Sequence, residues 1–450
     1  MRKVCVGFVL CLLTVVHCMR EPVFTRTHDG HLIVDVSGVP LASAVTVTVA
    51  GARSDAAEQK TVTAALHLTA GAHWKTTISD VTSDDAVLHY VITYQFRTGQ
   101  RSYTGSQFLS RVETSLEVLG TPHFLRRRAH TVFYDDFSSG KIDGNKWKHD
   151  CSADGVGNDE FQMYTPESRN SYVKNGVLYI RPTLTTDRFG DDFISHGTFD
   201  ARKQYGYCTN GDCVRHGWGQ VHPVMSALLR SSGQIHYGRV EVVAQLPKGD
   251  WIWPAIWLMP RDHVYGGWPR SGEIDIMETC GNLHLNHPNG ESRGVDVDQS
   301  HIHYGSDPSA AKSEGAVYKL QGSTFGDGFH TYWLDWTESH IKIGVDGHTV
   351  FTSNTPSNGY WGHGGFHGNN LWQHGGHNAP FDKPFYLILN VAIGGNFFWD
   401  GLKNHPYDKP WHYNDASKMM YFWNARNSWL PTWHGEDVAM KIKSVKMDQY

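Results

Sequence analysis

The sequence predicts an all-β protein: a small β-sandwich followed by one large sandwich or jelly roll. Three observations point there. Short segments with period-two alternation recur along the chain. No long amphipathic helical stretch competes with them. The composition is rich in aromatics and turn formers, with 16 Trp, 20 Tyr, 20 Phe, 46 Gly and 18 Pro in 450 residues. That length gives two or three domains at roughly 150 residues each. Forty basic against 45 acidic residues leave a net charge of −5. Such a balance argues against a nucleic-acid binder and against a polybasic membrane-surface protein. With 40% hydrophobic and 19% charged residues, the chain can bury a core.

The elements follow in order. A basic start, Met1–Lys3, precedes the apolar run Val4–Val16, and Cys18 closes it before Arg20-Glu-Pro22. These three regions are those of a secretory signal peptide over residues 1–18, too short for the ~20 residues of a membrane span. The expected protein is secreted, extracellular and monomeric. Residues 19–115 contain His31–Val36, Ala44–Ala50, Trp74–Ile78 and Val87–Tyr94, which alternate and are rich in Val and Thr; they read as a small β-sandwich. Residues 116–130, ending in Arg126-Arg-Arg128, read as a linker. Strands resume over 131–450, at Val177–Ile180, Gly238–Leu246, His330–Trp336, His340–Val345, Thr349–Phe351, Phe385–Val391 and Met440–Met447. An Asp346-Gly347 turn joins two of them.

Beyond the leader, four cysteines remain: Cys151, Cys208, Cys213 and Cys280. An even number in an oxidising compartment predicts disulfides. The short separation of Cys208 and Cys213 favours pairing them with each other and Cys151 with Cys280. Three pairings are open, and the sequence does not choose. Metal binding is not expected. His363, His367, His374 and His377, in the Gly/His-rich stretch 359–377, are irregularly spaced and read as part of a mobile loop beside the cleft.

The sharpest chemical feature is Ser271-Gly-Glu-Ile-Asp-Ile-Met-Glu-Thr279. On a regular strand Glu273 and Asp275 share a face, and Glu278 points away. A β-bulge at Ile276–Met277 returns Glu278 to that face. Clustered, desolvated carboxylates cannot all ionise, so their pKa values split. A nucleophilic carboxylate paired with a protonated acid is what glycoside hydrolysis requires. Calcium, the rival ligand, prefers carboxylates set among Gly, Asn and turns.

The run Glu273-Ile-Asp-Ile-Met-Glu278 resembles the bulged signature of glycoside hydrolase family 16. Phe133–Phe137, Gly157-Asn-Asp-Glu-Phe-Gln-Met-Tyr164, Tyr237–Glu241, Trp253–Pro260, Trp268–Glu273, Leu389–Gly395 and Trp429–Trp433 are similar to further family segments in the same order. The last two resemble the animal branch of laminarinases and β-1,3-glucan-binding proteins. The resemblance implies a concanavalin-like curved jelly roll over 131–450, with a small N-terminal immunoglobulin-like sandwich. It implies Glu273 as nucleophile, Glu278 as acid/base, and Asp275 as the carboxylate that orients Glu273. His303 matches a cleft histidine. Trp268, Trp253 and Trp257 match aromatic positions near the cleft, and Asn158, Glu160 and Arg230 are candidate contacts to sugar hydroxyls. Gly71, Trp74, Asp84, Asp85 and Tyr90 are similar to positions of an N-terminal glucan-binding module. Lys443 falls where some members carry a calcium-binding Asp, so no calcium is expected, and no cofactor.

The partner implied is a laminarin-like β-1,3-glucan, neither nucleic acid nor membrane. The expected activity is endo-acting retaining β-1,3-glucanase. Its rivals are a non-catalytic β-1,3-glucan recognition protein and an enzyme for another β-glycan.

Overall fold

The computed structural model describes the backbone of seven strands between residues 23 and 108, and residues 129–450 apart from 156 and 210–212. The leader and the linker up to residue 128 lie outside the described residues. So do the side chains of the candidate glucan-binding positions in the first unit. The chain divides into two compact units, 1–123 and 124–450.

In the first unit, strands Val23–Arg26, Leu32–Ser37, Ala44–Ala52, Lys60–Thr69, His73–Ile78, Val87–Phe96 and Gly99–Phe108 pair antiparallel in the order first, second, fifth, fourth, third, sixth, seventh. Lys60–Thr69 pairs with Ala44–Ala52 as far as Leu66, and with His73–Ile78 from His67 onward. One strand therefore belongs to two ladders, as in an immunoglobulin-like sandwich whose sheets share a strand. The sequence reading missed this strand, whose alternation fails at Ala64-Ala65. It also missed the polar Gly99–Phe108.

The second unit is a jelly-roll sandwich. Its outer sheet joins Ser171–Lys174, Val177–Ile180, Met440–Gln449, Gly238–Gln245, His330–Trp336, His340–Val345 and His348–Asn354 in that order, with His130–Asp135 on Met440–Gln449. The facing sheet carries the site. Its strands in chain order are β1 (Trp147–His149), β2 (Leu228–Ile235), β3 (Ile252–Pro260), β4 (Glu273–Glu278), β5 (Val297–Tyr304), β6 (Lys312–Lys319) and β7 (Phe385–Ile393). They lie in the order β6-β5-β4-β3-β7-β2-β1.

Period-two side chains fill the space between the sheets. The site-bearing sheet contributes Ile256, Leu258, Ile274, Ile302, Leu387, Leu389 and Val391, and the outer sheet Val240, Val242, Leu334, Ile343, Ile442 and Val445, all in one core. Because β3 and β7 are also covered on their other face, they read as nearly continuous apolar runs. Lys443 is the residue that bulges from the last strand between Ile442 and Ser444, and its ammonium stacks on Phe329 at 4.0 Å.

The Gly/His-rich stretch differs from the loop expected. It opens with the helix Gly359–His363, and Tyr360, Phe366 and Trp372 pack around buried Tyr304. The Trp372 indole also donates to the Arg270 carbonyl at 2.7 Å. The aromatics between the glycines anchor this stretch.

The disulfide expectation is half corrected. Cys208 and Cys213 are bridged, whereas Cys151 and Cys280 are free, buried thiols. Cys151 sits in a small cluster with Met163, Phe199 and Met225, and Cys280 in the main core. The two thiols enter separate apolar clusters, a fact that sequence spacing does not encode.

Ile256 is fully buried opposite Met277. Ile256→Ala should lower the unfolding free energy by about 2–5 kcal/mol in a denaturant titration, and a loss near zero would mean this layer is not packed as described.

Candidate active site

β4 enters the sheet from a pinned turn. Ser271 Oγ donates to the Gly266 carbonyl at 2.7 Å and accepts from the Tyr265 amide at 3.0 Å. Gly272 then adopts φ +82°, and a Cβ there would lie 2.9 Å from the Phe381 ring, so only glycine fits before Glu273.

Beyond it the register slips once. Trp257 faces Asp275 and Ile256 faces Met277 on β3, while on β5 His301 faces Asp275 and Gln299 faces Glu278. The partners advance one or two residues while β4 advances one more. This is a β-bulge at Ile276–Met277, the place the sequence predicts. Its effect is to send Ile274, Ile276 and Met277 into the core and leave Glu273, Asp275 and Glu278 on the outward, concave face.

Each carboxylate has a distinct partner. The Trp268 indole N–H donates to Glu273. Trp253 Nε1 donates to Glu278 Oε1 at 3.0 Å. His303 Nε2 lies 3.0 Å from Asp275 Oδ2 as an ion-pair neighbour, and His301 Nδ1 lies 3.8 Å from Glu278 Oε2. Burial pushes the Glu273 carboxyl well above its ordinary range, and the Asp275 charge adds to the rise, against the Trp268 donor. Asp275, only 2% exposed, is likewise raised well above, by burial and then by Glu278. Burial raises Glu278 too, opposed by His303, the Trp253 donor and Arg293.

A cavity opens over these groups, lined by Glu273, Glu278, Trp253, Trp257, Asn158, Glu160, Tyr164, Leu228, Ala255 and Asn390. Its floor is one hydrogen-bonded chain. Trp257 Nε1 donates to Asn390 Oδ1 at 2.7 Å, and Asn390 Nδ2 to the Tyr164 hydroxyl at 2.9 Å. Gln162 Nε2 donates to Glu160 Oε2 at 2.5 Å, while Gln162 Oε1 accepts from the Ile393 amide at 2.7 Å. Burial lifts Glu160 to about 8, with Gln162, Asn158 and Tyr164 acting against it.

The structure thus gathers Glu273, Glu278, Trp253, Trp257, Asn158 and Glu160 on one cavity, with Asp275, His303 and Trp268 in contact with its acids. Two placements refine the expected sugar contacts. Trp253, 8% exposed, lines the cavity with one face stacked on Phe397 at 4.1 Å and 3° and its N–H on Glu278, so it also orients that acid. Arg230 is held by Asp150 and stacks near Tyr386 at 5.8 Å, outside the cavity lining. A buried carboxylate on the neighbouring strand β1 flank captures it, a contact sequence distance conceals. Trp268, in contrast, is 41% exposed.

Tyr164, Asn390, Phe397 and His301 escaped the sequence reading. Asn390 had a legible signal: it is a lone polar residue in the apolar run Phe385–Ile393, and a buried amide needs partners.

The profile described as "Glycosyl hydrolases family 16" matches residues 220–363. The β-1,3-glucan-binding protein of Penaeus monodon is 38% identical over 335 residues, which are 70% of this chain and 88% of that protein. A glucan endo-1,3-β-glucosidase of Cryptopygus antarcticus is 31% identical, over 59% of this chain and 80% of that protein. Glucan endo-1,3-β-glucosidase A1 of Niallia circulans is 33% identical, but the match spans 34% of its length. Among solved structures, LamAcat from Zobellia galactanivorans aligns with 70% of this chain and 96% of its own, at 24% identity and a TM-score of 0.44. The chain belongs to glycosyl hydrolase family 16.

Glu160 yields a pH prediction. Its ordinary value is 4.5 and its folded value about 8. Between them the unfolded chain has released a proton that the folded chain keeps, so stability falls as pH rises through this window. From about pH 5 to about pH 8 the wild-type melting temperature should therefore drop relative to that of Glu160→Gln; parallel curves would mean Glu160 ionises freely in the fold.

Proposed function

We propose that the protein is an endo-acting, retaining β-1,3-glucanase that cleaves laminarin-type glucans outside the cell. The observation that carries this is the bulge at Ile276–Met277, which leaves all three acids on one concave face. The Cryptopygus and Niallia relatives, both named endo-1,3-β-glucosidases, support the substrate class. The apolar run Val4–Val16 behind a basic start supports secretion.

The chemistry follows from the partners. Glu278 is kept protonated by burial and gives its proton to the glycosidic oxygen as the bond to the anomeric carbon breaks. Glu273 attacks that carbon through a carboxylate oxygen, forming a glycosyl ester. Glu273 accepts the Trp268 N–H and Glu278 the Trp253 N–H, so the division of roles between them rests on the resemblance of Glu273-Ile-Asp-Ile-Met-Glu278 to the family signature. Asp275, the most buried of the three and raised well above its ordinary range, shares a hydrogen bond with Glu273 and so orients it. Glu278, now ionised, takes a proton from water, whose oxygen attacks the same carbon and frees Glu273. Trp268 offers an exposed indole face to a sugar ring.

A second reading, glucan recognition without cleavage, is favoured by the Penaeus relative, named a β-1,3-glucan-binding protein. A reducing-end assay on laminarin separates the two. Wild type should release sugar, and Glu273→Gln and Glu278→Gln should each lose at least about 100-fold in kcat while still binding glucan. Binding by wild type without any release would leave the recognition reading standing.

A further inference from the structure

Trp399 is an indole with no role in the site above. It follows Phe397 by two residues, and Phe397 is the ring that stacks on Trp253 behind Glu278. β4 and β7 both run antiparallel to β3, so their C-terminal ends lie at the same edge of the sheet. The segments that leave them, after Glu278 and after Ile393, meet there. Trp268 precedes β4 and stands at the opposite edge.

The two segments are stapled. Leu285–Asn286 pairs antiparallel with Lys403–Asn404. Asn282 Nδ2 donates to Asn404 Oδ1 at 3.1 Å, and Asn404 Nδ2 to Asp250 Oδ2 at 3.0 Å. The backbone around Trp399 is pinned on both sides. Phe398 is fully buried against Trp251 and Trp411, and its carbonyl accepts from Lys409 Nζ at 2.8 Å. Asp400 pairs with the same ammonium at 2.7 Å and accepts from the Tyr413 amide at 3.1 Å. Gly401, at φ +99°, lets the indole lie close, since a Cβ there would be 2.8 Å from its ring.

Between these anchors Trp399 is 38% exposed, and the His287 ring stands 5.9 Å away at 35°. A hydrogen-bonded turn, His287 amide to Glu291 carbonyl and Gly290 amide to His287 carbonyl, fixes that ring's backbone. Two held rings present far less than the ~800 Å² per partner of a protein interface. They match the apolar face of one sugar ring, which packs on aromatics and keeps its hydroxyls toward polar groups. A platform already ordered loses little entropy on binding.

We propose that Trp399 and His287 form an outer sugar platform at the Glu278 end of the cleft, taking a glucosyl unit of the same β-glucan beyond those at the carboxylates. This rests on the β-glucan reading above and adds a chain-length preference to it. The test is calorimetric titration of Glu273→Gln and of Glu273→Gln/Trp399→Ala with linear β-1,3-gluco-oligosaccharides of increasing length. The double variant should bind long oligosaccharides about three- to tenfold more weakly, with a deficit that shrinks as the chain shortens. Trp399→Phe in place of Trp399→Ala should restore most of the loss. Equal affinities at every length would overturn the platform alone. Absence of binding by Glu273→Gln itself at every length would overturn the glucan reading, and the platform with it.

Discussion

One extra residue in β4 governs the site. Without the slip at Ile276–Met277, strict alternation would drive Glu278 into the apolar layer between the sheets, where an unpaired carboxyl is costly. With it, Met277 takes the core position against Ile256, and three acids share the concave face. The same residues thus fill the core and build the site. Any change in core register would move the acids, so the sandwich and its chemistry are not separable.

That arrangement sets the electrostatics. Burial raises all three carboxyls on this short strand, and the charge of Glu278 adds to the rise of Asp275 and Glu273. The two indole donors break the symmetry between the terminal pair. Trp268 reaches Glu273 from an exposed loop, while Trp253 reaches Glu278 from within a stack on Phe397. One donor is exposed, and the other is locked behind the acid it orients. The cavity floor extends the same principle outward, because every buried polar atom from Trp257 through Asn390 to Tyr164 is tied to the next.

Much of this was legible beforehand. Val177–Ile180, His330–Trp336 and His340–Val345 are strands at their expected bounds, because a half-buried strand writes its alternation into the sequence. The bulge was legible because three acids in six residues have one economical way to share a face. Lys60–Thr69 and Gly99–Phe108 were not legible. A strand that changes ladders, or one that is largely polar, lacks period-two contrast.

The sequence by itself determined the all-β class, the family and the three acids, since each is encoded locally, in alternation or in a contiguous motif. Tertiary structure decided what depends on distant segments meeting. It bound Arg230 to Asp150, buried one face of Trp253 under Phe397, and sent Cys151 and Cys280 into separate clusters. It also brought His287 beside Trp399, more than a hundred positions on. Local spacing constrains which face a side chain takes; only the packed sheets and stapled loops determine what it faces.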